Sequence, residues 1–403
     1  MLAAKPVRDA SWAAAVSMST EPQTDQSSIL PMQLAFALTG VGTTLLGSLL
    51  PTLSLNWHLD DRRAGFLFAA QFCGSAMGAL LVGSHFFRSA LRGYLLLAIS
   101  ALSIAFVKGD TRLLLFFTFG LGLGLAMTST SMWMGKAFPA RRGAVLSVLN
   151  AWWCFGAVIS APLASVWVSR FLPEYFYPIL GAVVIATLIP VLGRQRVAAD
   201  EMRDSESAGE DIDWKRVAVF ALMAFLYVGS ETSVGGWLMS YVHRLATSSN
   251  FLAPLATSCF WLALLCGRTI SPWLLRRMDE LQLLTYAIVG AFVSVVMLLL
   301  LRTPLGTVFS ATCTGLMLGP IFPLSMARIL ALMHDSPRSK WTFSLSGVGA
   351  AALPALTGEV STRAGSLHSG LLVPAFALSL MSAMMILDRA ARPKAATLRA
   401  KAS

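Results

Sequence analysis

The chain has 403 residues, of which 56% are hydrophobic and only 13% charged, with a net charge of +11. An ordinary soluble domain carries about 25% charged residues, and a chain this long would split into two or three domains, each needing a charged skin. Thirty-one bases and twenty acids, gathered in short clusters between long apolar runs, argue against a soluble enzyme, a disordered chain and a nucleic-acid-binding module; they point to a polytopic membrane protein in a lipid bilayer.

Residues 1–28 are polar, contain Pro6 and Pro22, and have no apolar core of signal-peptide type, so they read as a cytoplasmic tail. A helix needs about 20 apolar residues to cross a bilayer. The apolar runs predict twelve spans: 29–55, 64–87, 93–107, 112–134, 143–169, 175–193, 216–242, 251–275, 281–301, 305–333, 341–362 and 367–388. The third is short and is expected to borrow flanking residues. The longest connection, 194–215, mixes seven acids with four bases, divides the spans six and six, and reads as a cytoplasmic linker. A second cytoplasmic tail is expected over 390–403. With the N-terminus inside, twenty-one Lys and Arg fall on the cytoplasmic side and eight outside, which predicts both termini in the cytoplasm.

The two halves repeat weakly. Cys73-Gly74 and Gly78 in span 2 answer to Cys266-Gly267 and Ser271 in span 8. Gly120 and Gly124 answer to Gly315 and Gly319, and Gly40 and Gly47 to Gly229 and Gly236, all at offsets of 189 to 195 residues. Small residues also serve helix packing in general. Six spans, a linker and six more in the same orientation make a parallel duplication. The expected fold class is an all-α polytopic membrane protein, twelve transmembrane helices in two pseudo-symmetric six-helix bundles, 29–193 and 216–389.

Span 7 reads Tyr227-Val228-Gly229-Ser230-Glu231-Thr232-Ser233-Val234-Gly235-Gly236-Trp237; span 8 has Gly267-Arg268-Thr269-Ile270-Ser271, and span 10 has Gly319-Pro320-Ile321-Phe322-Pro323. On these residues the chain, over about 29–390, resembles the major facilitator superfamily of transporters, and within it the fucose-permease-like sugar transporters. The resemblance implies alternating access to one central site, lined by the first and fourth helices of each half, in a chain that works as a monomer. Two departures stand out. The family's cytoplasmic signature between spans 2 and 3 carries an Asp before its Arg; here Phe87 precedes Arg88, and the second-half equivalent at Arg276-Arg277 has no preceding acid. The fucose permease also uses carboxylates in its first and fourth helices, where this chain has none.

Glu231 is the one mid-span acid of the twenty. A charge at bilayer depth is costly unless paired or hydrated, so it marks a functional position: a proton carrier, or an acceptor for substrate hydroxyls. A structural pairing between helices would also explain it. Arg268, about 12 Å from the cytoplasmic end of span 8, is a candidate to pair with Glu231 and to gate, and a structural role would also explain it. Arg328 lies nearer the cytoplasmic end of span 10 and reads as reaching back to the interface. Trp153, Trp237 and Trp261 offer faces for a sugar ring, with Gln71 and Asn150 as polar neighbours; lipid contact or packing would serve as well. Thr128 to Ser131 set four hydroxyls in a row on span 4, and Thr43 shares a face of span 1 with Thr39. Such hydroxyls can also bond back to their own helix. Gly319 and Pro320 interrupt span 10 and suit bending; Arg88 and Arg276 occupy the cytoplasmic gating positions. The five cysteines read as small buried hydrophobes.

No HExxH, CxxC or P-loop pattern is present, so no metal, no cofactor and no enzymatic activity are expected. The leading reading is a secondary transporter of a small polar solute, a sugar first, with proton symport through Glu231 or facilitated diffusion. Export of drugs or metabolites is the alternative within the class, and a non-transporting nutrient sensor the alternative outside it.

Overall fold

In the computed structural model the described residues are 29–138, 142–192, 214–245, 251–332 and 339–402. The expected tail over 1–28 and nearly all of the 194–215 linker lie outside them. Among the described residues every regular element is helical. The first half comprises α1 (Ile29–Asn56), α2 (Asp61–Leu80), α3 (Phe86–Ile104), α4 (Thr111–Ala137), α5 (Arg142–Val168), a 3-10 turn at Pro173–Tyr175 and α6 (Phe176–Leu192). The second comprises α7 (Trp214–Leu245), α8 (Leu252–Leu274), α9 (Glu280–Leu300), α10 (Pro304–Leu318), α11 (Ile321–Leu332), α12 (Ser339–Ala364), α13 (Leu367–Gly370) and α14 (Leu372–Ala402).

Local chemistry sets the ends of these helices. Asp60 caps α2 by accepting from the Arg63 amide at 2.8 Å. Asp279 and Gln282 form a capping box at α9. Thr303 caps α10 and Pro304 opens it, where a missing N–H costs nothing. Span 10 is broken as expected: α10 ends at Leu318, Gly319-Pro320 form a turn, and α11 resumes at Ile321.

Three boundaries are corrected. The second span stops at Leu80 rather than 87, and α3 begins at Phe86, so the short third span gains its length upstream. The last span opens with α13, turns at Leu371, and then α14 runs on to Ala402 without a break at 388. Among the described residues ten helices are long and apolar enough to cross a membrane. The expected spans that miss this measure are α2 and α12, which carry Asp61, Arg62, Arg63 and Glu359 at one end. These two helices lie along each other and bury Gly65 against Ala355 and Gly358 against Asp61. Helices that face protein on this side are freed from the need to be uniformly apolar.

The glycine repeat has a structural meaning. A Cβ on Gly74 would run into the Phe117 carbonyl and one on Gly120 into the Gln71 carbonyl, so α2 and α4 meet backbone to backbone. Their counterparts Gly267 and Gly315 face the Leu316 and Phe260 carbonyls and seat α8 on α10. Gly40 and Gly156 do the same for α1 on α5, and Gly229 and Gly349 for α7 on α12. Equivalent helix pairs in the two halves therefore use equivalent glycines. Gly315→Leu is expected to force α8 and α10 apart and lower stability by about 1–3 kcal/mol, read as a fall in the thermal midpoint of the detergent-purified protein.

Candidate functional site

Glu231 sits near the middle of α7 and is 8% exposed. Tyr227, one turn earlier on the same face, donates its hydroxyl to Glu231 Oε2. Arg268 on α8 approaches both carboxylate oxygens through Nη2, at 3.4 and 3.5 Å. That spacing describes an ion pair held loosely, with the tyrosine as the tighter partner. Arg268 keeps about a fifth of its side chain exposed, and its Nε has no partner. Close by, Ser258 on α8 donates to the Val158 carbonyl on α5 at 2.9 Å, so the site lies where the two halves join.

A layer of aromatic and amide groups lies beside the pair. The Trp153 and Trp261 rings pack edge to face at 5.7 Å, one from each half. Trp261 lies against Gly235, one turn from Glu231, and the Trp153 carbonyl lies against Gly40 on α1. Gln71 on α2 is fully buried and donates Nε2 to the Thr43 carbonyl at 3.0 Å. Among the described residues, the indole nitrogens of Trp153 and Trp261, Gln71 Oε1 and Arg268 Nε are four of nine buried side-chain polar atoms without a protein partner. Buried polar atoms normally find partners, so three donors and one acceptor stand unsatisfied here.

The hinge of span 10 touches this site twice. A Cβ on Gly319 would lie 2.8 Å from the Arg268 amide nitrogen. Phe322, just past the break, stacks on Tyr227 at 6.1 Å between centroids. Bending at Gly319-Pro320 would therefore disturb both partners of Glu231.

The bundle is closed at the end opposite its described termini. Gly47 of α1 meets Gly236 of α7, and Phe68 packs on Trp237 at 5.6 Å. Further out, Asp61 accepts from Arg244 at 2.8 and 2.5 Å and from the Ser361 hydroxyl at 2.5 Å. Arg62 pairs with Glu359 at 2.9 Å, and Glu359 also accepts from Arg363 at 2.7 Å. Asp61 opens α2 and Arg244 closes α7, so each charge also suits its helix dipole. Burial pushes the Asp61 carboxyl up, but the bonds from Arg244 and Ser361 outweigh it and hold the group below the ordinary carboxylate value.

The other expected site residues fall elsewhere. Trp237 is completely buried and donates its indole N–H to the Pro354 carbonyl at 3.1 Å, so it belongs to the closed end. Thr43 bonds back to the Thr39 carbonyl and Ser131 to that of Met127. Thr130 turns to Tyr94 on α3, which splits the hydroxyl cluster, while Thr128 stays half-buried on α4. Asn150 is exposed on the face of α5 that carries Cys154, one turn nearer the termini. Arg88 and Arg276 are exposed and reach no carboxylate among the described residues. Arg328 pairs with Glu280 at 3.3 Å rather than reaching the interface alone. Cys154 is buried, but Cys73 and Cys266 are exposed, which corrects the reading of all five as core residues. Tyr227 and the Asp61–Arg244 pair were not expected from sequence. A tyrosine four residues before a lone intramembrane acid is the signal that would have found the first.

Comparison with known proteins decides the family. The model of the Major Facilitator Superfamily matches residues 32–338. The chain belongs to the Major Facilitator Superfamily. Among curated relatives it is 22% identical over 393 residues to the yeast (Saccharomyces cerevisiae) protein Bypass of stop codon protein 6, covering 84% of this chain and 77% of that one. It is 26% identical over 206 residues to the Glucose/galactose transporter of Brucella abortus biovar 1, covering 50% of this chain and 49% of that protein, about half of its length. Among solved structures the superfamily fold is shared with the nucleoside transporter NupG, at a TM-score of 0.70 and 14% identity over 90% of this chain and 98% of that one. It is shared too with the transporter FucP in the outward conformation, at 0.59 and 17% identity over 89% and 98%. The chain is thus a superfamily transporter embedded in a membrane.

Proposed function

We propose that this superfamily member moves a small polar solute, a sugar first, by alternating access, with Glu231 as the proton-coupling group and Arg268 as its counter-charge. The observation that carries the reading is the loose Glu231–Arg268 pair beneath two indoles whose N–H groups lack partners. The indole faces suit the apolar face of a pyranose, and the free donors and Gln71 Oε1 suit its hydroxyls. Similarity to a glucose/galactose transporter supports the sugar class.

Alternating access supplies the roles of the remaining groups. The Asp61–Arg244 and Arg62–Glu359 pairs are the gate on one side, and the Gly319-Pro320 break is the flexible element on the other. Residues 29–193 and 216–389 move as two bundles joined by the 194–215 linker, and the protein works as a monomer in the plasma membrane. The charge bias puts both termini in the cytoplasm, which makes the gate an outer one. A cysteine placed at Ser205 should resist an impermeant thiol reagent in intact cells; labelling from outside would reverse the orientation.

Ligand binding tests the substrate class. A sugar at 100 times its dissociation constant should add about 2.7 kcal/mol of stability, seen as a rise in the thermal midpoint across a panel of hexoses. Trp153→Ala and Gln71→Ala should remove the rise. Stabilisation by nucleosides and by no hexose would move the reading to another polar solute.

A further inference from the structure

We propose that the groove between α1, α5 and α6 holds one acyl chain of an anionic phospholipid whose phosphate rests on Arg170. The groove has a volume of about 380 Å³ and is lined by eleven apolar side chains and one charged one, Arg170, at its mouth. That volume is in the range of built ligand sites rather than of packing defects. Its floor is protein core, with Val41 and Leu180 each 3% exposed. Its walls are open: Val166 is 65%, Phe171 55% and Val183 42% exposed.

Depth and charge name the occupant. Ile159 at the deep end lies nine residues before the α5 terminus at Val168, about 14 Å along the helix. One leaflet of a bilayer core is about 15 Å thick, so the groove runs from the headgroup level to the midplane. A chain that fills it must come from the leaflet at the Arg170 end. At the mouth, Trp167 donates to the Leu172 carbonyl at 3.0 Å and stacks on Phe171 at 4.4 Å, an aromatic placement typical of the membrane interface. Arg170 is exposed and pairs with no carboxylate among the described residues. The nearest acid in sequence, Glu174, is engaged by Asn56 Nδ2 at 3.0 Å. A free guanidinium above an apolar slot of leaflet depth matches one ligand, a phosphate carrying an acyl chain.

The site is separate from Glu231 and does not depend on the solute transported. Protein reconstituted in vesicles of equal phosphatidylglycerol and phosphatidylcholine, then extracted gently, should retain one phosphatidylglycerol per chain by native mass spectrometry. Arg170→Ala should lower that occupancy about fivefold or more, and Arg170→Lys should keep most of it. Val183→Trp, a substitution at an already exposed wall position, should plug the deep end and also release the lipid while Arg170 is intact. Unchanged thermal midpoints in the three variants would show that each is folded. Retention equal to the parent in Arg170→Ala would overturn the headgroup assignment. Equal retention in Val183→Trp would overturn the chain's place in the groove, and equal retention of both lipids by the parent would overturn the preference for an anionic one.

Discussion

Glu231→Gln is expected to abolish accumulation of solute against its gradient while leaving exchange of labelled for unlabelled solute. Exchange needs only the loaded carrier to reorient, whereas accumulation needs a proton to be taken up on one side and released on the other. Glutamine keeps the acceptor that Tyr227 bonds and removes the titration. The same residue gives a stability prediction with a larger span. Removing one member of a buried pair leaves the other charge without compensation and costs about 3–5 kcal/mol. Arg268 keeps about a fifth of its side chain exposed, so Glu231→Ala should fall at the lower end of that range. Glu231→Ala with Arg268→Met removes both charges and should recover most of the loss. A double variant as unstable as the sum of the singles would show that the two side chains are not a pair. Undiminished accumulation by Glu231→Gln would remove Glu231 from the coupling step.

Asp61→Asn should open the opposite end. The substitution removes one member of a bidentate ion pair and weakens the bond from Ser361, leaving Arg62–Glu359 to hold the gate. Charge-assisted bonds of this type contribute about 1.5–3 kcal/mol, and Arg244 is 45% exposed, so about 1–2 kcal/mol is expected here. That is about a five- to thirtyfold change in the ratio of closed to open forms. Spin labels at Leu55 and Leu305, both exposed and near that end in opposite halves, should report a longer distance population. The charge swap Asp61→Arg with Arg244→Asp should restore the short one. The sign of the pH effect follows from the depressed Asp61 group. Its contribution to closure is complete above the ordinary carboxylate value of about 3.9 and is lost as pH falls through and below it. The distance should therefore not change between pH 5 and 8. A change in that window that depends on Asp61 would contradict the assignment.

Much of the fold was legible because lipid imposes a simple rule on sequence. The apolar runs located the helices, and the glycines whose offsets read as a duplication fall at close helix contacts in both halves. The rule was weakest at α2, whose end lies at Leu80 rather than 87, and α2 and α12 are the two spans that pack on each other through Gly65 and Gly358 and are the least apolar. The site was legible to the extent that its members are out of place in an apolar run. Glu231, Arg268 and Gln71 announced themselves in that way. Tyr227 did not, since an aromatic residue is ordinary in a span. Trp237 and Trp261 looked alike in sequence, yet one indole is spent on Pro354 and the other has no partner. The Asp61 cluster was hidden for another reason: Asp61 meets partners 183 and 300 residues away, and at span ends a lone acid looks like any solvated loop charge.

Uptake into proteoliposomes under an imposed pH gradient separates proton-coupled transport through Glu231 from the alternatives. With the lumen alkaline, labelled glucose or galactose should enter saturably and rise above its outside concentration, and a proton-carrying ionophore should collapse the excess. Glu231→Gln in the same liposomes should exchange but not concentrate. Uptake no greater than in protein-free liposomes across hexoses and nucleosides would contradict the account, as would concentration that survives the ionophore.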